Sequence, residues 1–444
     1  MSNPLPALRF RSDRGPNGVS DGAAELPGGP SPEATPPAPS YRRTLSSRPF
    51  LLLWSSLLIS QSGDFVFDVA LVWLVFATTG SVVAVSYVLV AATVPAVVFG
   101  PILGVYVDRW PRRTILIVTN LLEGALVAGL ATAVLAHSAT LPLILVVVFA
   151  LGVGQQFVRV TSNALIPQTV EKHDLSSANG LLTLSGNSIQ IVGLAIGGVV
   201  VALFGATLPI VWDAASFVLA AAILGAMSAL VGRPVPEDGP AAVGFGAQFA
   251  EGFRYVASQR FLLEVIAIGV VVNFAGNAAF TQWAPYASRV LHGGAATFGL
   301  LGAMIAGGAI AGALLVGKVN LRPIAGPVIF LGLFAVGGFV LSLGFTRSIP
   351  LALAEAFGVG VASSVINVPL LTVVQGKVPA RLMGRAMSVL LALILVAAPF
   401  GEYLSGVIAS ATSIPFLYVV MGLLTIVVAG AGALGMRDVR TLTY

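Results

Sequence analysis

The sequence predicts an all-α polytopic membrane protein, with 12 transmembrane helices in two pseudo-symmetric six-helix halves and both termini cytoplasmic. Three observations carry this. Apolar residues make up 57% of the 444 positions and charged residues only 9%, against about 25% charged in soluble domains, and mean hydropathy is +0.96. Apolar stretches long enough to cross a bilayer recur twelve times, separated by short breaks rich in Gly, Pro or charge. Charge is also one-sided: with both termini inside, twenty of the 23 Lys and Arg fall on the cytoplasmic side. That asymmetry is the positive-inside rule.

The elements follow in chain order. Residues 1–48 are rich in Pro, Gly, Ser and Ala, lack an apolar h-region, and read as a disordered cytoplasmic tail. The N-terminal half, 49–231, holds spans near 50–77, 81–107, 114–136, 140–166, 175–203 and 208–231. The longest polar break, 232–259, is a cytoplasmic linker. Its end places Phe245, Phe249, Phe253 and Val256 at helical spacing, the pattern of an amphipathic surface helix. The C-terminal half, 260–436, holds spans near 260–290, 297–318, 324–345, 350–375, 382–410 and 414–436, and 437–444 is a short cytoplasmic tail. The halves echo each other: GPILGVYVDRWPRR at 100–113 finds a partner in AGALLVGKVNLRP at 311–323. Such duplication is usual in secondary transporters, whose sites lie near the midplane between repeats.

Composition also narrows the chemistry. The net charge of +5 is spread as a topology signal and forms no basic patch on a soluble domain, so nucleic acid is not an expected partner. There is no cysteine and only three scattered histidines, so neither a thiolate nor a zinc site is expected. No metal or other cofactor is called for.

Seven acids lie inside the apolar stretches: Asp64, Asp68, Glu123, Asp213, Glu264, Glu355 and Glu402. A charge at mid-bilayer costs about 2.5–3.5 kcal/mol on insertion scales, so each calls for a use. Asp64 and Asp68 are four apart on one face of span one, extended by Ser60 and Gln61. Two acids this close in low dielectric cannot both ionise cheaply, which is what proton exchange requires. Gln155, Arg159 and Asn163 form a stripe on span four, and Glu123 at mid-span three is placed to pair with Arg159. Glu402 lies beside Pro399 and Gly401, a predicted kink, where a facing cavity would make it a second proton site. Proton coupling is therefore assigned to Asp64, Asp68, Glu123 and Glu402. Asp213 is read as packing or capping, Glu264 as structural, and Glu355 is left without a role.

Amides among aromatics suit a bulky, partly apolar cargo. The candidate cargo residues are Gln61, Gln155, Arg159, Asn187 and Gln190 in the first half, and Asn273, Phe274, Asn277 and Phe280 in the second. The bland alternative is that these amides bridge neighbouring helices.

At 104–113 the order Gly-x-x-x-Asp-Arg-x-x-Arg-Arg resembles the signature loop of the major facilitator superfamily. NALIPQTVEKHDLSSANGL at 163–181, WDAASF at 212–217 and LMGRAMSV at 382–389 are similar to its twelve-helix drug:proton antiporter branch, which includes macrolide-efflux and siderophore-export proteins. The resemblance covers about 50–436. The chain departs from the family pattern at Pro111, where relatives carry Gly, at Gly193–Gly198, which lacks the family's Pro, and at Glu123, where relatives often carry Arg. The resemblance implies a cytoplasmic gate in which Gly104, Asp108, Arg109, Arg112 and Arg113 latch span two against span eleven near Gly384 and Arg385. It implies export of a hydrophobic or cationic small molecule by proton antiport through alternating access, driven by the transmembrane proton gradient. The partners would be cargo, protons and the lipid of the cell membrane, with a monomer as the working unit. A siderophore exporter is the close alternative, and a symporter or importer of a small nutrient a more distant one. A membrane-embedded enzyme would need clustered aspartates at an interface, and a channel would need pore loops; the sequence offers neither.

Overall fold

The computed structural model describes residues 40–107, 110–228, 245–319, 324–436 and residue 439. Twelve helical segments are long and apolar enough to cross a membrane. The first half contributes α2 (Arg48–Thr79), α3 (Val82–Val107), α4 (Arg112–Leu135), α5 (Leu141–Leu165), α6 (Leu175–Phe204) and α7 (Thr207–Gly225), preceded by a short α1 (Tyr41–Ser46). The second half begins with α8 (Phe245–Ser258). It continues with α9 (Arg260–Thr281), α10 (Trp283–Arg289), α11 (Ala295–Lys318), α12 (Ala325–Leu343), α13 (Ile349–Lys377), α14 (Ala380–Leu395), α15 (Ala397–Ala411) and α16 (Ile414–Gly435).

Two expected spans are each broken in two, for one reason. Proline lacks an N–H and its ring crowds the carbonyl four residues earlier. Pro285 thereby ends α9 at Thr281 and Pro399 ends α14 at Leu395, so α10 and α15 start on new axes. The predicted kink beside Glu402 is this break.

The pairing of helices repeats between halves. In the first half α3 packs on α5, α4 on α7 and on α5, and α2 on α6 and α7. In the second half α11 packs on α13, α12 on α16 and on α13, and α9 on α15 and α16. These are the same span pairs, six positions later. Lipid supplies no hydrophobic drive between helices, so packing depends on close van der Waals approach, which small residues allow. Between α11 and α13, Gly308 lies on the Phe357 carbonyl and Gly360 on the Ile305 carbonyl, leaving no room for a Cβ on either.

Two seams join the halves: α3 with α15, and α6 with α11. Both are tight at the end where α2 finishes and α3 starts. There Gln282 donates to the Ser86 and Ser405 hydroxyls at 3.0 and 3.1 Å. Arg289 donates to the carbonyl of Gly80, a left-handed helix cap at φ +61°, and lies 5.2 Å from the Phe76 ring. On the other seam a Cβ on Gly198 would come within 2.7 Å of the Ala295 carbonyl. The opposite end, where α2 starts, carries most of the Lys and Arg and is called the basic end below.

Residues 41–46, within the stretch expected as an N-terminal tail, form helix α1, and residues 1–39 lie outside the described residues. Helix α1 is tied to the turn before α6: Arg43 Nε lies 2.7 Å from Asp174 Oδ2, and the Ser40 N–H donates to Asp174 Oδ1 at 3.0 Å. The hydrogen bond to that carboxylate holds the Arg43 guanidinium above its ordinary value. At the other terminus, the Val439 N–H donates to Glu264 Oε2 at 2.9 Å, so the chain is still anchored two residues into the expected tail. Helix α8 presents Gly252 and Val256 inward, with Gly252 against the Arg385 backbone on α14, while Phe253 of the expected apolar face is exposed.

Candidate functional site

Helix α2 is the spine of the site. Its four-residue spacing turns Asp64 and Asp68 to one face, and two cavities meet there. The first, about 320 Å³, lies toward the basic end and is lined by Ser60, Gln61, Asp64, Glu123, Gln155, Arg159 and Asn163, among others. The second, about 430 Å³, lies deeper. It is lined by Asp64, Asp68, Asp213, Gln155, Gln190 and Phe280, closed in by Phe65, Phe298 and Leu194. Asp64 and Gln155 belong to both, so the two form one polar path along α2, α5 and α6.

Exposure agrees with a wet path. Gln155, Arg159, Asn187, Gln190 and Asn367 are exposed although they lie within membrane-length helices. Facing hydrocarbon they would be expensive. Lining a vestibule open toward the basic end, they are solvated.

Four carboxylates converge on this path: Asp64 and Asp68 on α2, Glu123 on α4 and Asp213 on α7 line its two cavities. Asp213, expected to pack or cap, also lines the deeper cavity. It is fully buried on α7, its Oδ1 is 3.4 Å from Ser216 Oγ, and Oδ2 has no partner. Gly63 on α2 makes room for it, because a Cβ there would strike the Asp213 carboxylate. An acid mid-way along the apolar α7, one of the seven charges inside spans, was the available signal.

The predicted Glu123–Arg159 ion pair does not form. Both line the smaller cavity, yet neither Glu123 oxygen has a partner among the described residues. Gly154 explains how the acid is seated: a Cβ there would collide with the Glu123 carboxylate, so α4 presses its acid onto α5 where the side chain is missing. Arg159 instead points into the vestibule.

Glu402 does not face either cavity. It is buried in the seam between halves, where Thr93 Oγ1 on α3 donates to Oε1 at 2.8 Å while Oε2 is unpartnered. Of the expected cargo residues, Gln61, Gln155, Arg159, Gln190 and Phe280 line the path, and Asn187 is exposed beside it. Asn273, Phe274 and Asn277 do not. The two amides donate to carbonyls one turn back on their own helix, Gly269 at 3.2 Å and Asn273 at 2.8 Å, and the Phe274 backbone is covered by Gly401.

Gly104 lies within α3, and Asp108 and Arg109 lie outside the described residues. The arginines that are described turn to their own half. Arg112 donates to the Ala164 carbonyl at 3.2 Å, and Arg113 to the Leu224 and Gly225 carbonyls at 3.0 and 2.6 Å. Arg385 pairs with Glu251 on α8. Arg112 and Arg113 therefore cap the ends of α5 and α7, Arg385 ties α14 to α8, and among the described residues no bond runs from Arg113 to the Gly384–Arg385 region. Among the described residues no group of three His, Asp or Glu is placed to hold a metal ion.

Comparison with known proteins gives the same architecture. The multidrug efflux pump Tap of Mycobacterium tuberculosis is 26% identical over 404 residues, covering 88% of this chain and 94% of the relative. Macrolide efflux protein A of Streptococcus pyogenes is 24% identical, covering 86% and 94%. A bacterial homologue of the human lysosomal transporter Spinster, solved inward-facing and occupied, superposes with TM-score 0.71 at 16% identity over 88% of this chain and 97% of that one. A peptide-bound transporter of the POT family superposes with TM-score 0.70 at 10% identity, covering 90% and 99%. The model of the transmembrane secretion effector family matches residues 40–439. With its twelve spans and repeated six-helix halves, the chain belongs to that family, within the major facilitator superfamily of multi-pass cell-membrane transporters.

Proposed function

We propose that this transporter is a proton-driven exporter of hydrophobic or cationic small molecules, working by alternating access between its halves. The observation that carries this is the carboxylate cluster: Asp64, Asp68, Glu123 and Asp213 surround one path, with Arg159 the sole base along it among the described residues. Crowded acids without counter-ions take up a positive charge from whatever supplies one, a proton or a cargo cation, and trading one for the other is antiport. The names of the relatives, a multidrug and a macrolide efflux protein, support export of drug-like molecules.

In this reading both termini are cytoplasmic, as the one-sided Lys and Arg favour, and the structure is an inward-open state. Residues 49–231 and 260–436 rock as two bodies, and α8 travels with the second through Arg385 and Glu251. Cargo contacts fall to Gln61, Gln155, Arg159, Asn187, Gln190 and Phe280. Gly104, Asp108, Arg109, Arg112 and Arg113 would re-form the cytoplasmic gate when that end closes. Glu402 would then act as a sensor in the seam more than as a cavity acid.

The test is exchange of both Asp64 and Asp68 for Asn, assayed in inverted vesicles with an imposed proton gradient. The expected result is loss of gradient-driven dye uptake with protein level unchanged. Uptake still coupled to the gradient would refute the assignment.

A further inference from the structure

A second, apolar opening lies on the side of the bundle. A cleft of about 1080 Å³ runs between α3, α4 and α5, as large as a drug-sized pocket. Phe99, Trp110, Phe149 and Phe157 give it aromatic walls, and Phe99 and Phe149 meet edge-on at 6.3 Å. Its rim faces outward: Val118, Leu122, Trp110 and Phe149 are all exposed. Trp110 marks the basic end and Leu126 the mid-bundle level, so with both termini cytoplasmic the cleft opens on the inner leaflet.

Among the described residues one charged side chain lines the cleft, and it is Glu123. The residue is 2% exposed and both oxygens lack a partner among the described residues. It also lines the smaller polar cavity, so this carboxylate is the partition between the lipid-facing cleft and the central path. A packing role alone would not select an unpaired buried acid, because an apolar residue of similar size would avoid the burial penalty.

We propose that this cleft is a lateral access site for amphiphilic organic cations, which leave the inner leaflet with their apolar bodies among the aromatics and their positive group on Glu123. The inference rests on the export reading and names the cargo class and its route. Charge complementarity chooses the occupant: a lipid acyl chain would fill the apolar walls but leave the carboxylate unmet. Such cations also concentrate at the anionic cytoplasmic leaflet. From Glu123 the cation has Asp64 as its next acid across the smaller cavity, where the proton exchange takes place.

The test is equilibrium binding to the full chain in lipid nanodiscs with no gradient, which separates it from the transport assay. The probes are the cationic dye trimethylammonium-diphenylhexatriene and its uncharged parent, each followed by saturable energy transfer from tryptophan. Glu123→Gln is expected to weaken the cationic dye about tenfold or more, as loss of a charged contact implies, and to leave the parent dye within a factor of about two. Glu123→Asp should restore part of the cation affinity, and Ala150→Trp, which fills the cleft, should remove both. In the otherwise unaltered chain, Trp110→Phe should abolish most of the transfer, which tests location without touching the acid. Equal cation affinity in the wild type and Glu123→Gln, or transfer unaffected by Trp110→Phe, would overturn the proposal. Displacement by Ala150→Trp alone, with Glu123→Gln silent, would mean that the cleft holds an acyl chain and would overturn it equally.

Discussion

Seven carboxylates lie in helices of membrane length, and the two halves treat them differently. In the second half each has a dedicated donor. Glu264 takes Arg260 and the Val439 N–H, Glu355 takes the Ser342 and Thr346 hydroxyls, and Glu402 takes Thr93 from across the seam. In the first half Asp64, Asp68 and Glu123 have no donor among the described residues, and Asp213 has only a long contact from Ser216. The two sets also differ in surroundings: Asp64 and Asp68 line the cavities, Asp68 exposed, whereas Glu264, Glu355 and Glu402 are buried, Glu355 and Glu402 each with one oxygen unpartnered among the described residues. A satisfied buried acid stabilises its surroundings, whereas an unsatisfied one is retained at a cost to stability, and so for what it binds. In the reading proposed above, the contrast gives a mainly scaffolding part to the acids of the second half and charge handling to those of the first.

Three substitutions probe that division. The largest effect is expected from Asp213→Asn, which should cut gradient-driven dye transport about tenfold (about 1.4 kcal/mol in the barrier) while leaving thermal stability unchanged or raised. Transport at the wild-type rate would return Asp213 to a packing role and weaken the comparison. Glu355→Leu comes next. It leaves the Ser342 hydroxyl unpaired and Thr346 with only the Ser342 carbonyl, and should lower stability by about 1–3 kcal/mol, read as a shift in the melting midpoint in detergent, with the transport rate per folded molecule intact. A transport defect without loss of stability would break the division from the other side. The smallest effect belongs to Glu264→Gln. An exposed Arg260 partner at 3.3 Å limits the ion pair to under about 1 kcal/mol, and that small loss should shrink further in high salt.

Much of the architecture was legible in the residues, because helices in lipid must satisfy their own backbones and therefore announce themselves by length and apolarity. The acid stripe on α2 was legible too, since a spacing of four fixes a common face. What was hidden is which faces meet. The pairing of Glu123 with Arg159 looked favourable by level along α4 and α5, but the rotation of each helix, set by glycines such as Gly154, sends the two side chains to different parts of one cavity. Asn273 and Asn277 had the right spacing for a cargo face, yet amides that find a carbonyl on their own helix have no need of a ligand. Arg385 was expected at the gate, and its partner Glu251 lies on a surface helix whose docking no local pattern specifies. Asp213 looked isolated because its neighbours in sequence are largely apolar, whereas in space it lies against Gly63 on α2 and lines a cavity with Asp64 and Asp68.

The two seams between the halves are held by different forces, and their mechanics should differ accordingly. Gln282, Ser86, Ser405, Thr93 and Glu402 join α3 and α15 with directional bonds, whereas α6 and α11 meet through Gly198 and Gly299 with no side-chain hydrogen bond across them among the described residues. A contact made only of touching backbones resists sliding little and has nothing to unhook. In the alternating-access cycle proposed above, rotation would begin as a jaw parting along α6 and α11 while the polar seam serves as the axle, and the end where α2 finishes would gape first on the glycine side.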